Sequence, residues 1–317
     1  MKTAQFKVTK PGLFTTIQDL GRRGYQRYGV VVSGVMDSYA FQLGNLLVHN
    51  DRNAAAIEIT IVGPRLEILD DTIIAITGAD LEPAINDQVI PMWQQIRVRK
   101  GQVLSFGRCI SGARAYVAVR GGIDVPSVLK SKSTYVRGNM GGIKGRALHK
   151  GDILFRWRKV EDKNSNWVSS LHPSLIPKYE EKNIIRVIRG PEWDSFLPED
   201  QERFFKSVYT VGHQSDRMGY RLTGYSLTHK QGADILSDVI TFGTVQVPKS
   251  GEPIIMMADR QTTGGYTRIA QVIAVDLRKL AQMKPGDRIL FKEESIKAAH
   301  LSYIQRERIL FILSQLF

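Results

Sequence analysis

Val8-Thr9-Lys10-Pro11-Gly12-Leu13-Phe14-Thr15-Thr16-Ile17 is the stretch that decides the fold class. β-Branched and aromatic residues fill both flanks and Pro11-Gly12 breaks them, which reads as strand, turn, strand. The same punctuation recurs outward from it. Short apolar runs return from Ala56 to Ile76 around a Gly63-Pro64 turn. Lys100-Gly101-Gln102-Val103-Leu104 turns into another strand, and Lys150-Gly151-Asp152-Ile153-Leu154 repeats that pattern. Val30–Val32 and Ala115–Val119 read as further strands. Helix is expected in few places. Asp37 caps one in which Tyr39, Leu43, Leu46 and Leu47 keep helical spacing, and Ser295–Phe317 carries no glycine or proline. Many short strands with glycine turns predict a mainly β fold of barrels, not a Rossmann sheet.

The second half echoes the first. Ser33-Gly34-Val35-Met36 answers to Ser215-Asp216-Arg217-Met218, and Gly63 to Gly243. Apolar strands then begin near Ile73 and Ile254. The closing turns Lys100–Leu104 and Lys284–Leu290 follow in the same order. These landmarks predict two related β units, spanning 1–160 and 184–294. Residues 161–183, polar and proline-bearing, are the expected linker, and 295–317 the helical tail.

The chain has 317 residues, 43% hydrophobic and 24% charged, enough for a sizeable core and for two domains. Its one cysteine, Cys109, excludes an internal disulfide and suits a reducing compartment. No signal-peptide pattern follows Met1 and no apolar run reaches membrane-spanning length, so the expected location is cytoplasmic, with no membrane. The net charge of +13 is spread along the chain, apart from knots at Arg97–Lys100 and Arg156–Lys159. Neither knot carries interleaved aromatics, so no nucleic-acid partner is expected; a basic surface attracting small anionic substrates explains the charge.

A different kind of stretch follows the apolar run Pro253–Ala258. Asp259-Arg260-Gln261-Thr262-Thr263-Gly264-Gly265-Tyr266 sets an acid, a base, an amide, hydroxyls and glycines side by side. Buried, each polar group needs its own partner; facing a small-molecule substrate, they are fixed donors and acceptors. The plainer reading is a tight loop satisfying its own backbone. No Gly-x-x-x-x-Gly-Lys-Ser/Thr P-loop, Gly-x-Ser-x-Gly elbow or zinc-ligand spacing among the six histidines occurs. No metal is expected. Met283-Lys284-Pro285 lacks the surround of a biotinylated lysine, so no covalently attached biotin is expected either.

Gly12–Arg22, Ser33–Asp37, Ser215–Leu222 and Asp259–Tyr266 together resemble the biotin-dependent carboxyltransferase family, also described as the allophanate hydrolase second subunit or KipA-like family. The resemblance runs from about residue 8 to 293 and implies cyclophilin-like β-barrel units. One branch of that family supplies the C subunit of bacterial ATP-dependent 5-oxoprolinase, a hydrolase opening 5-oxoproline to glutamate. There the implied partners are the B subunit, which is KipI-like, and the A subunit, which is LamB/YcsF-like; the complex uses ATP. Two alternatives follow from the same resemblance: a KipA-like regulator antagonising a histidine-kinase inhibitor, and the carboxyltransferase component of a urea-amidolyase-like system. A homo-oligomer also remains open. The chain departs from its relatives at Val48-His49-Asn50, where Val-Gly-Asn is common. It departs again at Lys130-Ser131-Lys132-Ser133-Thr134, where Gly-Ser-Arg-Ser-Thr is common, and Lys132 lacks arginine's fork for an anion.

Under the 5-oxoprolinase reading the residues take these roles. Arg217 and Arg260 suit a carboxylate or phosphate, and Asp37 or Asp259 a proton from water. Thr262, Thr263, Gly264 and Gly265 form an oxygen-binding cradle, and Gln261 is a further substrate-binding candidate. Gln246 orients substrate, and Ser33 and Ser215, on matching loops of the two halves, are further substrate-binding candidates. Gln18, Asp19 and Arg22 form a second polar loop, for substrate or partner. Beside each stands a structural role: ion-pair networks for Asp216–Arg217 and Asp259–Arg260, a helix cap for Asp37, a sheet-edge side chain for Gln246.

Overall fold

A computed structural model describes residues 2–157, 169–179 and 182–317. Of the expected linker, residues 161–168 and 180–181 lie outside the described residues. The chain divides into two compact units: Met1–Arg22, Ser33–Tyr179 and Leu310–Phe317 form the first, and Arg23–Val32 with Glu180–Ile309 the second.

The first unit begins with β1 (Lys2–Lys10) and β2 (Phe14–Gln18), then helix α1 (Ser38–Leu47). Next come β3 (Ala56–Thr60), β4 (Arg65–Ile68), β5 (Thr72–Asp80), β6 (Pro83–Ile85), β7 (Gln88–Val89) and β8 (Gln95–Val98). It ends with β9 (Val103–Phe106), β10 (Ser111–Val119), β11 (Ile123–Asp124) and β12 (Ile153–Trp157). These make a seven-stranded sheet, β11-β12-β1-β4-β9-β6-β7, and a five-stranded one, β2-β3-β10-β5-β8. One core lies between them: Phe6, Val8, Leu66 and Leu104 from the larger sheet, Ile57, Ile59, Ile76, Ala115 and Val117 from the smaller. Strand alternation fixes what the other face of the smaller sheet carries. Thr16 pairs Glu58, Glu58 pairs Tyr116, and Tyr116 pairs Thr77, a polar row across four strands. Helix α1 lies on that row: Thr77 Oγ1 donates to the Ala40 carbonyl at 2.8 Å, and Phe41 meets the Tyr116 ring edge-on at 6.0 Å.

The second unit comprises β13 (Lys182–Arg189), α2 (Pro198–Lys206), β14 (Val208–Val211), β15 (Gly219–Thr223), β16 (Asp234–Val239) and β17 (Thr244–Val247). After these come β18 (Ile254–Met256), β19 (Thr263–Val272), α3 (Leu277–Ala281), β20 (Arg288–Glu293) and α4 (Ile296–Leu316). The order β13-β20-β14-β15-β18-β17-β19 returns to β13, closing a seven-stranded barrel, with β16 appended to β19. Closure removes the free strand edges that otherwise invite association. Val187, Tyr209, Tyr220, Val245, Ile255, Ile269 and Phe291 are fully or nearly fully buried, and Phe204 of α2 stacks on Phe291 at 4.6 Å.

The mainly β prediction holds, with few short helices and a C-terminal helix, and three local expectations change. Val30–Val32 is not a strand. The matching Ser33–Met36 and Ser215–Met218 landmarks lead to different elements, helix α1 in one half and strand β15 in the other. Thr263–Tyr266 is not a loop but the start of β19, paired to β16 with Val239 opposite Thr263. Both departures from the relatives' glycines keep a glycine-like backbone: His49 has φ of 57° and Lys130 of 61°. A non-glycine residue there costs about 1–2 kcal/mol, so the turn, not the side chain, is what the fold requires. In α4, Leu310 and Leu313 are buried, while Phe311, Ile312 and Leu316 remain exposed.

Candidate functional site

Met257 follows the short strand β18, and here the chain turns sharply. The Met257 amide donates to the Met218 carbonyl at 2.8 Å and the Asp259 amide to the Arg217 carbonyl at 2.7 Å. Two turns, Ser215–Met218 and Met257–Thr262, are thereby joined by their backbones. Asp216 Oδ1 tightens the first by accepting the Met218 amide at 2.8 Å. Ser215 Oγ spans its base, accepting the Arg221 amide at 3.1 Å.

Across this joint the side chains of Arg217 and Asp259 form a fork. Nε to Oδ2 is 2.9 Å and Nη2 to Oδ1 is 3.1 Å, with both side chains below one-tenth exposed. The geometry is bidentate, which matches the planar guanidinium to the planar carboxylate. Sequence reasoning set structural ion-pair networks beside the substrate role for Asp216–Arg217 and Asp259–Arg260; the partner of Arg217 is 42 residues away.

Arg260, next in the chain, is different. Its Nε donates to the Ile240 carbonyl and its Nη1 to the Met257 carbonyl, both at 3.3 Å, and the guanidinium carbon sits 5.8 Å from the centre of the Phe242 ring. No carboxylate ion-pairs with it among the described residues. Burial, followed by the positive charge of Arg23, pushes its pKa down to about 10 against a smaller opposing pull from Asp259.

Gln261 and Thr262 are half-buried, and the Thr262 carbonyl accepts the Ile240 amide at 3.0 Å. Thr263 and Tyr266 are exposed on β19, with Gly264 and Gly265 between them. Neither glycine has positive φ. Gly264 is required by proximity: a Cβ there would lie 2.2 Å from Ile240 Cδ1 and 2.8 Å from Gln246 Nε2. Gln246 is buried beneath the strand and donates to the Tyr266 carbonyl at 3.3 Å.

The remaining candidates belong to the first unit. Asp37 is the N-cap of α1, wholly buried. Its Oδ1 accepts the amides of Tyr39 and Ala40 at 3.1 and 3.0 Å, and its Oδ2 accepts the Tyr179 hydroxyl at 3.0 Å. Ser33 Oγ donates to the Thr134 carbonyl at 3.0 Å, and Gln18 Nε2 donates to that same carbonyl at 3.0 Å. Asp19 gathers the following turn, accepting from Ser131 Oγ at 2.7 Å, from the Lys132 amide at 2.6 Å and from Ser133 Oγ. Lys132 Nζ reaches the Ile123 carbonyl at 3.4 Å and Asp124 at 3.9 Å.

Sequence reasoning missed Glu58 and Tyr116. Glu58 Oε2 accepts the Met36 amide and the Tyr116 hydroxyl, each at 2.8 Å, while that hydroxyl accepts the Asp37 amide at 2.8 Å. Burial first, then the charges of Glu58 and Asp37, raises the Tyr116 pKa well above the usual phenol value, so the hydroxyl keeps its proton as a donor. The available signal was an acid inside the apolar run Ala56-Ile57-Glu58-Ile59. It missed Arg23 too, which no strand or helix pattern marks.

Within the second unit the structure thus joins Arg217, Asp259, Arg260, Gln261 and Thr262 on two tied turns, with Gln246 under Gly264 on the adjoining strands. The comparisons with known proteins agree with a related architecture throughout. The chain is 40% identical to the 5-oxoprolinase C subunit of Haemophilus influenzae over 285 residues, 90% of this chain and 89% of that one. It is 39% identical to the 5-oxoprolinase C subunit of Escherichia coli K12, over 92% of each. The crystal structure of the K. lactis urea amidolyase superposes with a TM-score of 0.91 at 35% identity, covering 99% of this chain and 20% of that much longer one. Residues 28–293 match the family model described as carboxyltransferase domain, subdomain A and B, and the chain belongs to that family.

Proposed function

We propose that this chain is the C subunit of an ATP-dependent 5-oxoprolinase and contributes to opening 5-oxoproline to glutamate. The observation that carries the reading is near-40% identity to two proteins of that name over nine-tenths of both lengths. A lactam resists water because its nitrogen lone pair is delocalised into the carbonyl. Phosphorylating the oxygen with ATP removes that resistance, and fixed donors then stabilise the charge that develops. This chain has no P-loop, so in this reading the nucleotide is handled with the partners, the KipI-like B subunit together with the LamB/YcsF-like A subunit. Its own part is to present polar groups on a rigid frame. The Arg217–Asp259 fork ties two turns, and Arg260, Gln261 and Thr262 stand half-buried on the second of them.

The test is co-expression of the three subunits with glutamate release measured against ATP and 5-oxoproline. Activity is expected only with all three; an unchanged rate when this chain is omitted overturns the reading. A second reading, carboxyl transfer in a urea-amidolyase-like system, is favoured by the superposition on the K. lactis protein over 99% of the chain. It gains if the co-expressed proteins yield no glutamate while urea-dependent carboxyl transfer from a supplied biotin carrier requires this chain.

A further inference from the structure

The stretch Arg137-Gly138-Asn139-Met140-Gly141-Gly142-Ile143-Lys144-Gly145-Arg146 takes no part in the 5-oxoprolinase reading. It turns tightly, and Asn139, Gly141, Gly142, Lys144 and Gly145 all have φ between 50° and 68°. Packing accounts for the glycines: a Cβ at Gly141, Gly142 or Gly145 would lie 2.0 Å from the Ser133 carbonyl oxygen, Thr134 Oγ1 or the Asn139 carbonyl carbon. Packing does not account for the amides. Those of Gly142 and Gly145 donate to the carbonyls of Lys132 and Gly141, at 3.0 and 2.8 Å. Those of Gly141, Ile143 and Lys144 donate to no acceptor among the described residues, although Gly141 is buried. Buried backbone N–H groups nearly always have an acceptor, and several left over on one turn make an anion cradle. The same three residues line a cavity of about 480 Å³ in the first unit. Val128, Ile153 and Phe155 give it an apolar wall, and Lys2 and Lys144 give it cations. Its one acid, Asp124, is already met by Lys2 at 3.0 Å and by Lys132 at 3.9 Å. Lys144 has no ion pair among the described residues, so three lysines stand against one carboxylate. A phosphate monoester suits both features: it carries close to two negative charges near neutral pH, and it offers three strong acceptor oxygens.

We propose that this cavity binds a phosphate monoester with an apolar body. The amides of Gly141, Ile143 and Lys144 and the Lys144 ammonium hold the phosphate, and Val128, Ile153 and Phe155 receive the rest of the molecule. The site lies wholly within the first unit and does not depend on the 5-oxoprolinase reading.

The test is an NMR titration of the full, isotope-labelled chain in phosphate-free buffer of low salt, with phenyl phosphate, inorganic phosphate and benzoate as separate probes. Saturable binding of phenyl phosphate is expected, about tenfold tighter than inorganic phosphate, which lacks the apolar part, and than benzoate, which lacks the third oxygen. On saturation the amide signals of Gly141, Ile143 and Lys144 should shift further than those of Gly142 and Gly145, whose protons are already bonded. Lys144→Gln should bind about tenfold more weakly, as befits a lost charged hydrogen bond, and Lys144→Arg close to wild type. Melting curves establish that both variants are folded; where either is not, the amide shifts of the unaltered chain decide. Absence of saturable binding, binding that leaves the three amides unmoved, or equal binding by a folded Lys144→Gln overturns the site. Benzoate binding as tightly as phenyl phosphate, with the same amide shifts, keeps the oxyanion cradle and overturns the phosphate occupant.

Discussion

Arg217 and Arg260 stand on two turns tied by the same backbone hydrogen bonds, and the contrast between them separates scaffold from site. Arg217 is buried and meets a carboxylate through two parallel hydrogen bonds. Arg260 is half-buried and meets two carbonyls, an aromatic ring and the field of a second arginine. A cation buried with its counter-ion is a completed structural element. A cation held rigidly without one is unfinished, and perturbed groups of that kind collect at functional sites. The same residue type, 43 positions apart in a single unit, therefore has two physical meanings, decided by what faces it.

The largest expected effect comes from breaking the completed pair. Arg217→Met strands the Asp259 carboxylate in a site below one-tenth exposed, and removing one partner of a buried ion pair costs about 3–5 kcal/mol. Urea denaturation should register that loss. Replacing both residues by apolar ones of similar volume should restore much of it, because no charge is then left unpaired. If Arg217→Met unfolds like wild type, the fork is not holding the turns and the contrast with Arg260 fails.

That contrast was only half legible in the sequence. Pro11-Gly12 announced the β1–β2 turn, where Gly12 has φ of 76°, and Asp37 announced the cap of α1. Both signals are local: turn and cap chemistry act over two to four residues, so the sequence carries them directly. The glycine-free tail announced α4 in the same way. Asp259–Tyr266 was visible as a polar stretch, but its division into a turn and the start of β19 was not. Gly264 looked like a loop glycine, whereas Ile240 and Gln246 crowd it from neighbouring strands. Nor does any local rule pair Arg217 with Asp259, carry Arg23 into the second unit, or set Glu58 between Met36 and Tyr116. Those facts depend on which distant segments the barrel and sheets bring together.

A smaller effect extends the comparison along β19. Gly264→Ala places a methyl group 2.2 Å from Ile240 Cδ1 and 2.8 Å from Gln246 Nε2. Both are side-chain ends of buried residues that must shift to admit it, so the expected cost is about 1–3 kcal/mol, the usual range for overpacking. The movement should also disturb the hydrogen bond from Gln246 to the Tyr266 carbonyl. Unchanged stability in urea denaturation would mean that the strands beside the site yield freely, and that rigidity is confined to the Arg217–Asp259 joint.

The smallest effect tests whether Arg23 truly acts on Arg260. Removing an uncompensated like charge should stabilise the free protein, so Arg23→Gln is expected to raise its stability by about 1 kcal/mol or less. The gain must depend on salt. Arg23 is exposed, and its repulsion of Arg260 is felt at low ionic strength but largely screened near 0.5 M, where the Debye length falls to about 4 Å. A chain of net charge +13 gains a little from losing any cation, so the control is Lys249→Gln, an exposed cation of the same unit with no ion pair among the described residues. Urea titrations at about 10 mM and about 500 mM sodium chloride should give Arg23→Gln a gain clearly above that of Lys249→Gln at low salt and no difference at high salt. Equal gains in the two variants at both salts would mean that Arg23 contributes only to net charge. Arg260 would then be a lone half-buried guanidinium, and the contrast with Arg217 would rest on one residue.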